Sequence, residues 1–245
     1  MQKKIRVGAV SYLNTKPLIY GLDLGMMKEQ AELIIDYPSK IASMLLDDEI
    51  DVGLVPVAII PEMKEYHIVS DYCIGSVGEV ASVCLFSDEP LDKIETILLD
   101  YQSRTSVALL KVIIDNFWKI NVAYEETSGD YQSQISDTKA GLVIGDRALQ
   151  QRKISPFIYD LGSEWKKFTG LPFVFAAWIS NKKLDGNFIN EFNEVNAFGL
   201  NRLEEVVQAN PYKIFDLHHY YKDCISFNLD EDKKKGLELF LEMLK

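Results

Sequence analysis

The sequence predicts an α/β protein built as two lobes with a ligand cleft between them. Three observations carry this. Strand-like and helix-like segments alternate through most of the chain, the pattern of largely parallel sheets. Two short apolar strands stop abruptly in similar ways, "DVGLVP" at Pro56 and "AGLVIGD" at Gly145 and Asp146, so each half of the chain delivers a strand end to a comparable place. Two apolar extended segments, near residues 86 and 173, are expected to cross between the halves. Residues 1–86 with 174–245 then form one lobe and 87–173 the other. Open α/β sheets bind ligands at the carboxyl ends of their strands, so the expected site is the cleft where those ends meet.

The elements follow in chain order. "KKIRVGAV" is the first strand, and it runs into "SYLNTKP", where Ser11, Tyr12, Asn14 and Thr15 crowd hydrogen-bonding side chains onto a strand end before Pro17 opens a helix. "ELIIDY" is the second strand. "PSKIASMLLDDE" is a helix with Pro38 in its first turn, and "DVGLVP" is a third strand that Pro56 stops. After the extended "EVASVCLFS", "DEPLDK" reads as a linker, and "ETILLD", "SRTSVALLKVIIDNFW" and "NVAYEE" begin a new strand-helix-strand series. "AGLVIGD" and "GLPFVFAAWIS" are further strands. Beyond them the chain turns helical and acidic, with "FNEVNAFGLNRLEEVVQAN" and "DEDKKKGLELFLEMLK" as the clearest helices.

Bulk properties narrow the function. The 245 residues suffice for a full core, and a hydrophobic share of 47% excludes a disordered or fibrous chain. A net charge of -11 with no Lys/Arg cluster disfavours a nucleic-acid partner. "DEDKKKG" is mixed in sign and reads as a solvated helix start. No apolar run reaches the length of a membrane span, and "MQKKIRVGAV" lacks the apolar core of a signal peptide, so a cytoplasmic protein with no membrane partner is expected. Cys73, Cys84 and Cys224 show no paired spacing and are expected to be reduced and structural, with no metal. No phosphate loop, dinucleotide fingerprint or nucleophile elbow occurs, and no cofactor is expected.

The chemistry must then come from strand-end loops. In "LLDYQSRTSVALLKVII" a strand ends at Asp100 and Ser103 is placed to cap the helix that follows. Ser103, Arg104, Thr105 and Ser106 bring hydroxyls, backbone N–H groups and a cation to one helix N-terminus. That is either a carboxylate or phosphate cradle, or an ordinary capped helix whose Arg104 faces solvent. Asp146 is the best-placed carboxylate for acid-base work and equally a cap for the helix starting at Arg147. Glu79 is a weaker candidate. His67, His218 and His219 lie outside the strand-end loops, and "HHYY" reads as a helix-loop surface.

Taken together, "SYLNTKPL", "DVGLVPVAIIPE", "GEVASVCLFS", "LLDYQSRTSVALLK", "LVIGDRAL" and "WKKFTGLPFVFAAW" resemble the chorismate dehydratase family, MqnA, of the futalosine route to menaquinone. The similarity runs from residue 4 to about 180, with the motifs in the same order, and is loose in the helical C-terminal third. The resemblance implies a fold like the type II periplasmic binding proteins and an enzyme that removes water from chorismate, a small dicarboxylate, to give 3-[(1-carboxyvinyl)oxy]benzoate. It lays the substrate loop on Asn14, with Ser11 and Tyr12 beside it, and a carboxylate site on Ser103 to Ser106. Ser82, after "GEVA", is carried over as a substrate contact; Pro56 is expected at the substrate from its own place at a strand end. Relatives often have a basic residue before that serine, where this chain has Ala81, which shifts weight onto Arg104. Asn14 would orient the substrate, and the base would be the substrate's own enolpyruvyl carboxylate or, in competition, Asp146. Two other readings share the fold. A non-catalytic binding protein would be expected to carry a secretory signal. The sister enzyme MqnD carries a Cys-Pro-Asn-Asp type motif where this chain reads Ser11, Tyr12, Leu13, Asn14, Thr15.

Overall fold

A computed structural model describes residues 4–245. The chain lays down β1 (Ile5–Val10), β2 (Ala31–Asp36), β3 (Val52–Pro56) and β4 (His67–Ser76) in one sheet. It crosses to a second sheet for β5 (Val83–Ser87), β6 (Thr96–Leu99), β7 (Ala123–Glu126), β8 (Lys139–Ile144) and β9 (Phe157–Asp160), then returns as β10 (Phe173–Ser180) and β11 (Ser226–Asn228). The spatial orders are β11-β4-β10-β3-β1-β2 and β7-β6-β8-β5-β9. The α/β class and the two-sheet architecture are those read from the sequence.

The sheets are mixed rather than largely parallel. In each, three strands run parallel, with β1 between β2 and β3, and β6 between β7 and β8. The strand arriving from the other lobe is inserted antiparallel beside them, β10 between β3 and β4, and β5 between β8 and β9. Connectivity forces this. The parallel strands end at the cleft, and a crossing chain enters its new sheet from the cleft, so it must run the opposite way.

The crossings also lie elsewhere than expected at one end. β5 pairs with β8 from Val83 onward, so residues 83–86 belong to the second sheet and the first crossing is the segment 77–82. Ala81 turns there with φ 62°, a left-handed conformation that costs a non-glycine residue about 1 kcal/mol. The Asp160 carboxylate holds the bend by accepting from the N–H groups of Val80 at 3.0 Å and Ala81 at 2.8 Å. The second crossing is the segment 170–172, ahead of β10.

Helices cover the sheets. α1 (Lys16–Asp23) has Pro17 in its first turn and α2 (Pro38–Leu46) starts on its proline, both as the sequence indicates. α3 (Arg104–Ile113) is capped by Ser103, whose Oγ accepts from the Ser106 N–H at 3.0 Å. α4 (Gly145–Gln151) and α5 (Leu161–Thr169) complete the second lobe, and the C-terminal third folds back onto the first sheet. There the helix expected over "FNEVNAFGLNRLEEVVQAN" divides at Asn201 and Arg202 into α6 (Gly186–Leu200) and α7 (Leu203–Ala209).

Two surface expectations hold only in part, for Lys234, Lys235, His218 and His219 reach solvent while their neighbours do not. Past α8 (Leu217–His219) the residues Tyr220 and Tyr221 of "HHYY" are buried, because both hydroxyls find partners inside the protein. Lys233, in the first turn of α9 (Glu231–Met243), is fully buried rather than solvated. Its ammonium is matched by Asp230 at 3.0 Å, and its stem lies over Gly75, where a Cβ would sit 3.2 Å from the Lys233 Cδ. Trp165 and Phe173 pack edge to face with Phe240 in the core, so neither lines the cleft. All three cysteines are free and buried, and burial pushes the Cys73 and Cys224 thiols up to about 12. Among the described residues no helix is long and apolar enough to cross a membrane.

Candidate functional site

The carboxyl ends of β1 and β3 in one sheet and of β6 and β8 in the other converge on a cavity of about 50 Å³. Its walls are apolar where strands form them, through Val10, Ile74, Val83, Ile144 and Phe175. Its polar side is made by Tyr12, Asn14, Ser103, Thr105 and Ser106. Every side chain around it is uncharged, and the N-terminal ends of α2 and α3 abut it at Pro38 and at Ser103. A helix N-terminus presents unpaired N–H groups and a partial positive charge, so this lining favours an anion without placing a basic side chain on it.

The donors are partly committed. Ser103 and Ser106 are buried; the Ser103 oxygen accepts the Ser106 N–H, which leaves its own proton free to donate into the cavity. Thr105 Oγ1 accepts the N–H of Ala58 from the opposite lobe at 3.2 Å. The Asn14 Oδ1 receives only the neighbouring Thr15 hydroxyl, at 3.3 Å, and among the described residues its amide nitrogen has no protein acceptor. Asn14 is therefore the side chain with most hydrogen-bonding capacity left for a ligand.

Several residues expected at the site stand back from it. Asp146 lies in the first turn of α4, where its Oδ1 accepts the Leu13 N–H from the opposite lobe at 3.1 Å. Burial pushes its carboxyl pKa up, and the Leu13 bond and nearby Lys16 pull the other way. Arg104 does not reach the cavity. It pairs with Glu62 at 3.1 Å and lines an open vestibule of about 500 Å³ outside, together with Lys40, Tyr37 and Tyr101. The reason is geometric: the first helical residue projects sideways while the cap and the next two residues, Thr105 and Ser106, face the cavity. Ser82 is buried one layer behind, its Oγ accepting from the Tyr220 hydroxyl at 2.7 Å and its carbonyl from the Gly145 N–H at 2.8 Å. Ser11 is exposed, and its N–H continues the β1–β2 ladder to the Asp36 carbonyl at 3.0 Å. Pro56 lines the cavity, as expected.

One constellation gave no signal in the sequence. Asp100, at the end of β6, receives Arg147 through both carboxylate oxygens at 2.9 and 2.8 Å, and also the Tyr131 hydroxyl at 2.8 Å. Arg147 Nη2 donates as well to Gln102 Oε1 at 2.9 Å, and the same oxygen accepts the Tyr12 hydroxyl. The Tyr12 ring lies on Gly145, where a Cβ would come within 2.9 Å of it. Gly145 itself has φ 63°, open to glycine without cost. Arg147 follows Asp146 directly in the sequence, and a lone arginine beside a candidate acid carries no pattern that announces this role.

A family model described as menaquinone biosynthesis matches residues 5–245. The chain belongs to that menaquinone biosynthesis family. The match spans the C-terminal helices that the motif resemblance covered only loosely. Within the family's reach, the chain is 27% identical to the chorismate dehydratase of Thermus thermophilus, over 97% of this chain and 94% of that one. Among solved structures it is similar to protein AF1704 of Archaeoglobus fulgidus, with a TM-score of 0.74 and 16% identity over 98% and 96% of the two chains. It is also similar to the alkanesulfonate-binding protein SsuA of Xanthomonas axonopodis bound to MOPS, with a TM-score of 0.68 and 11% identity over 99% and 93%. These likenesses establish that this family member has a periplasmic-binding-protein-like fold.

Proposed function

We propose that the chain is a chorismate dehydratase, which removes water from chorismate to give 3-[(1-carboxyvinyl)oxy]benzoate for menaquinone biosynthesis. The observation that carries the chemistry is the uncharged lining of the interlobe cavity. Departure of the C4 hydroxyl with the C3 hydrogen aromatises the ring, so the reaction has a large internal driving force. It needs orientation, a base and help for the leaving hydroxide more than it needs strong protein acids. The substrate carries its own carboxylate on the enolpyruvyl arm, close to the C3 hydrogen. In our reading that carboxylate takes the proton, the C3–H pair becomes part of the aromatic ring, and the hydroxyl leaves as water with the proton delivered to it.

The protein's part is then positioning and electrostatics. Ser103, Ser106 and the α3 N-terminus receive one carboxylate through neutral donors, which hold it without quenching its basicity as an arginine would. The Asn14 amide orients the substrate or the departing hydroxyl. Asp146 is left outside the reacting set, since it does not line the cavity and its Oδ1 accepts the Leu13 N–H. The relative of 27% identity, itself named for this activity, supports the choice of substrate.

The experiment is direct: the protein is mixed with chorismate, the diene absorbance is followed, and the product is identified by mass. Loss of absorbance with a product lighter by one water is expected. Tight binding without turnover would sink the enzyme reading in favour of a carboxylate-binding protein.

A further inference from the structure

The cavity of about 50 Å³ has room for a few waters, whereas sites that bury small organic ligands run from about 300 Å³ upward. The lobes are therefore shut in this structure, and a substrate of any useful size enters only after they part. Several contacts cross from lobe to lobe around the cleft, among them the Arg104–Glu62 ion pair, Ser39 Oγ to the Tyr101 carbonyl and the Tyr212 hydroxyl to the Asp146 carbonyl, and three others join the strand-end loops that rim the cavity. The Tyr12 hydroxyl donates to Gln102, the Leu13 N–H donates to Asp146 at 3.1 Å, and the Ala58 N–H donates to Thr105 at 3.2 Å.

We infer that Tyr12, Asp146 and Thr105 form a latch, a set of contacts that hold the lobes together here and re-form around a wider cavity once substrate has entered, and that this latch is the task of Asp146. The inference deepens the proposed reaction, on which its kinetic arm rests; its structural arm stands without it. Each contact is set up for closing. Leu13 opens the short 3-10 turn Leu13–Thr15, so its N–H has no partner within its own turn, and Asp146 supplies one from the facing lobe. The Gln102 oxygen is fixed toward Tyr12 because Arg147, itself clamped by Asp100, donates to the same atom. The Tyr12 ring closes flat onto Gly145, a seat that any side chain at that position would fill. Tyr12, Asp146 and Thr105 are positioning residues in this scheme, acting through the lobe interface.

The test measures opening in the full chain without ligand. Spin labels on Lys40→Cys and Glu126→Cys, two exposed positions that line the vestibule outside the cavity, report the distance between lobes. The parent should show mainly a short distance. Tyr12→Phe, which keeps the ring and removes one bond, and Asp146→Ala should each shift population to a longer one. Asp146→Asn keeps an Oδ1 acceptor for Leu13 and should restore the short distance. In turnover of chorismate, losing one such bond should raise KM about tenfold while kcat changes less, with the Asn variant within about twofold of the parent. Unchanged distances in both Tyr12→Phe and Asp146→Ala would overturn the latch. So would a fall in kcat of about 100-fold in Asp146→Asn with the distances intact, which would mark Asp146 as the base. If the distances respond as stated and chorismate is not consumed, the latch holds and the proposed reaction is what fails.

Discussion

Asn14 has the simplest environment of any polar residue in the cleft, and the clearest prediction follows from it. Its amide meets only the Thr15 hydroxyl, so Asn14→Ala removes little from the fold. Steady-state turnover of chorismate by that variant should fall about 100-fold in kcat, with the thermal midpoint held, if the amide steadies the transition state. Asp51 is the opposite case, a residue of stability rather than chemistry. Burial opposes its ionised form, but Arg6 at 3.0 Å and Lys182 at 2.5 Å hold its carboxyl well below the usual range. The folded protein therefore binds that proton less readily than the unfolded chain does. The stabilisation is complete above about pH 4 and drains away as the pH falls through the native value. Denaturant titrations of Asp51→Asn should show a loss of about 2 kcal/mol at pH 7, narrowing steadily below pH 4. Neutral donors at strand ends were legible in the sequence because serine, threonine and asparagine stood out against apolar strands. Pairings such as Asp51 with Lys182 were not, since only the folded sheet brings them together.

At the scale of elements, the strands and helices named from local pattern are found near their places, because proline starts, serine and aspartate caps and apolar runs act on their own neighbours, whereas β4, β9, β11, α5 and α8 were not named. Direction and partner were harder to read. The sequence marks "EVASVCLFS" as extended, but only sheet pairing assigns Val83–Ser87 to the second lobe and sets it antiparallel. Arg104 went astray for a similar reason: one position along a helix turns a side chain by roughly 100°, enough to move it from the cavity to the vestibule. Two substitutions examine the elements that frame the site. Ser103→Ala deletes the α3 cap and should lower stability by about 1 kcal/mol in thermal unfolding. Gly145→Ala places a Cβ against the Tyr12 ring in a left-handed backbone, and should cut kcat/KM by about tenfold by propping the lobes apart.

The whole molecule carries a net charge of -11 and, in the proposed reaction, must attract a dianion. Lys40 and Arg104 stand at the vestibule, and Arg104 is already paired with Glu62, which leaves Lys40 as the cation that makes no ion pair among the described residues there. Screening confines such a charge to about 8 Å at physiological ionic strength, so its pull is local and survives the acidic surroundings. Lys40→Gln should lower kcat/KM by about threefold in dilute buffer with kcat unchanged, and the difference should fade as salt is added. The cleft could be anticipated from the two strand ends, whereas the closed state could not, because closure is decided by bonds between residues far apart in sequence. That closed state has a consequence in time. Closed lobes admit no ligand until they part, so the rate of ligand capture, followed by rapid mixing, should climb with concentration and then level off at the opening rate of the lobes. Above that plateau, more substrate adds no speed.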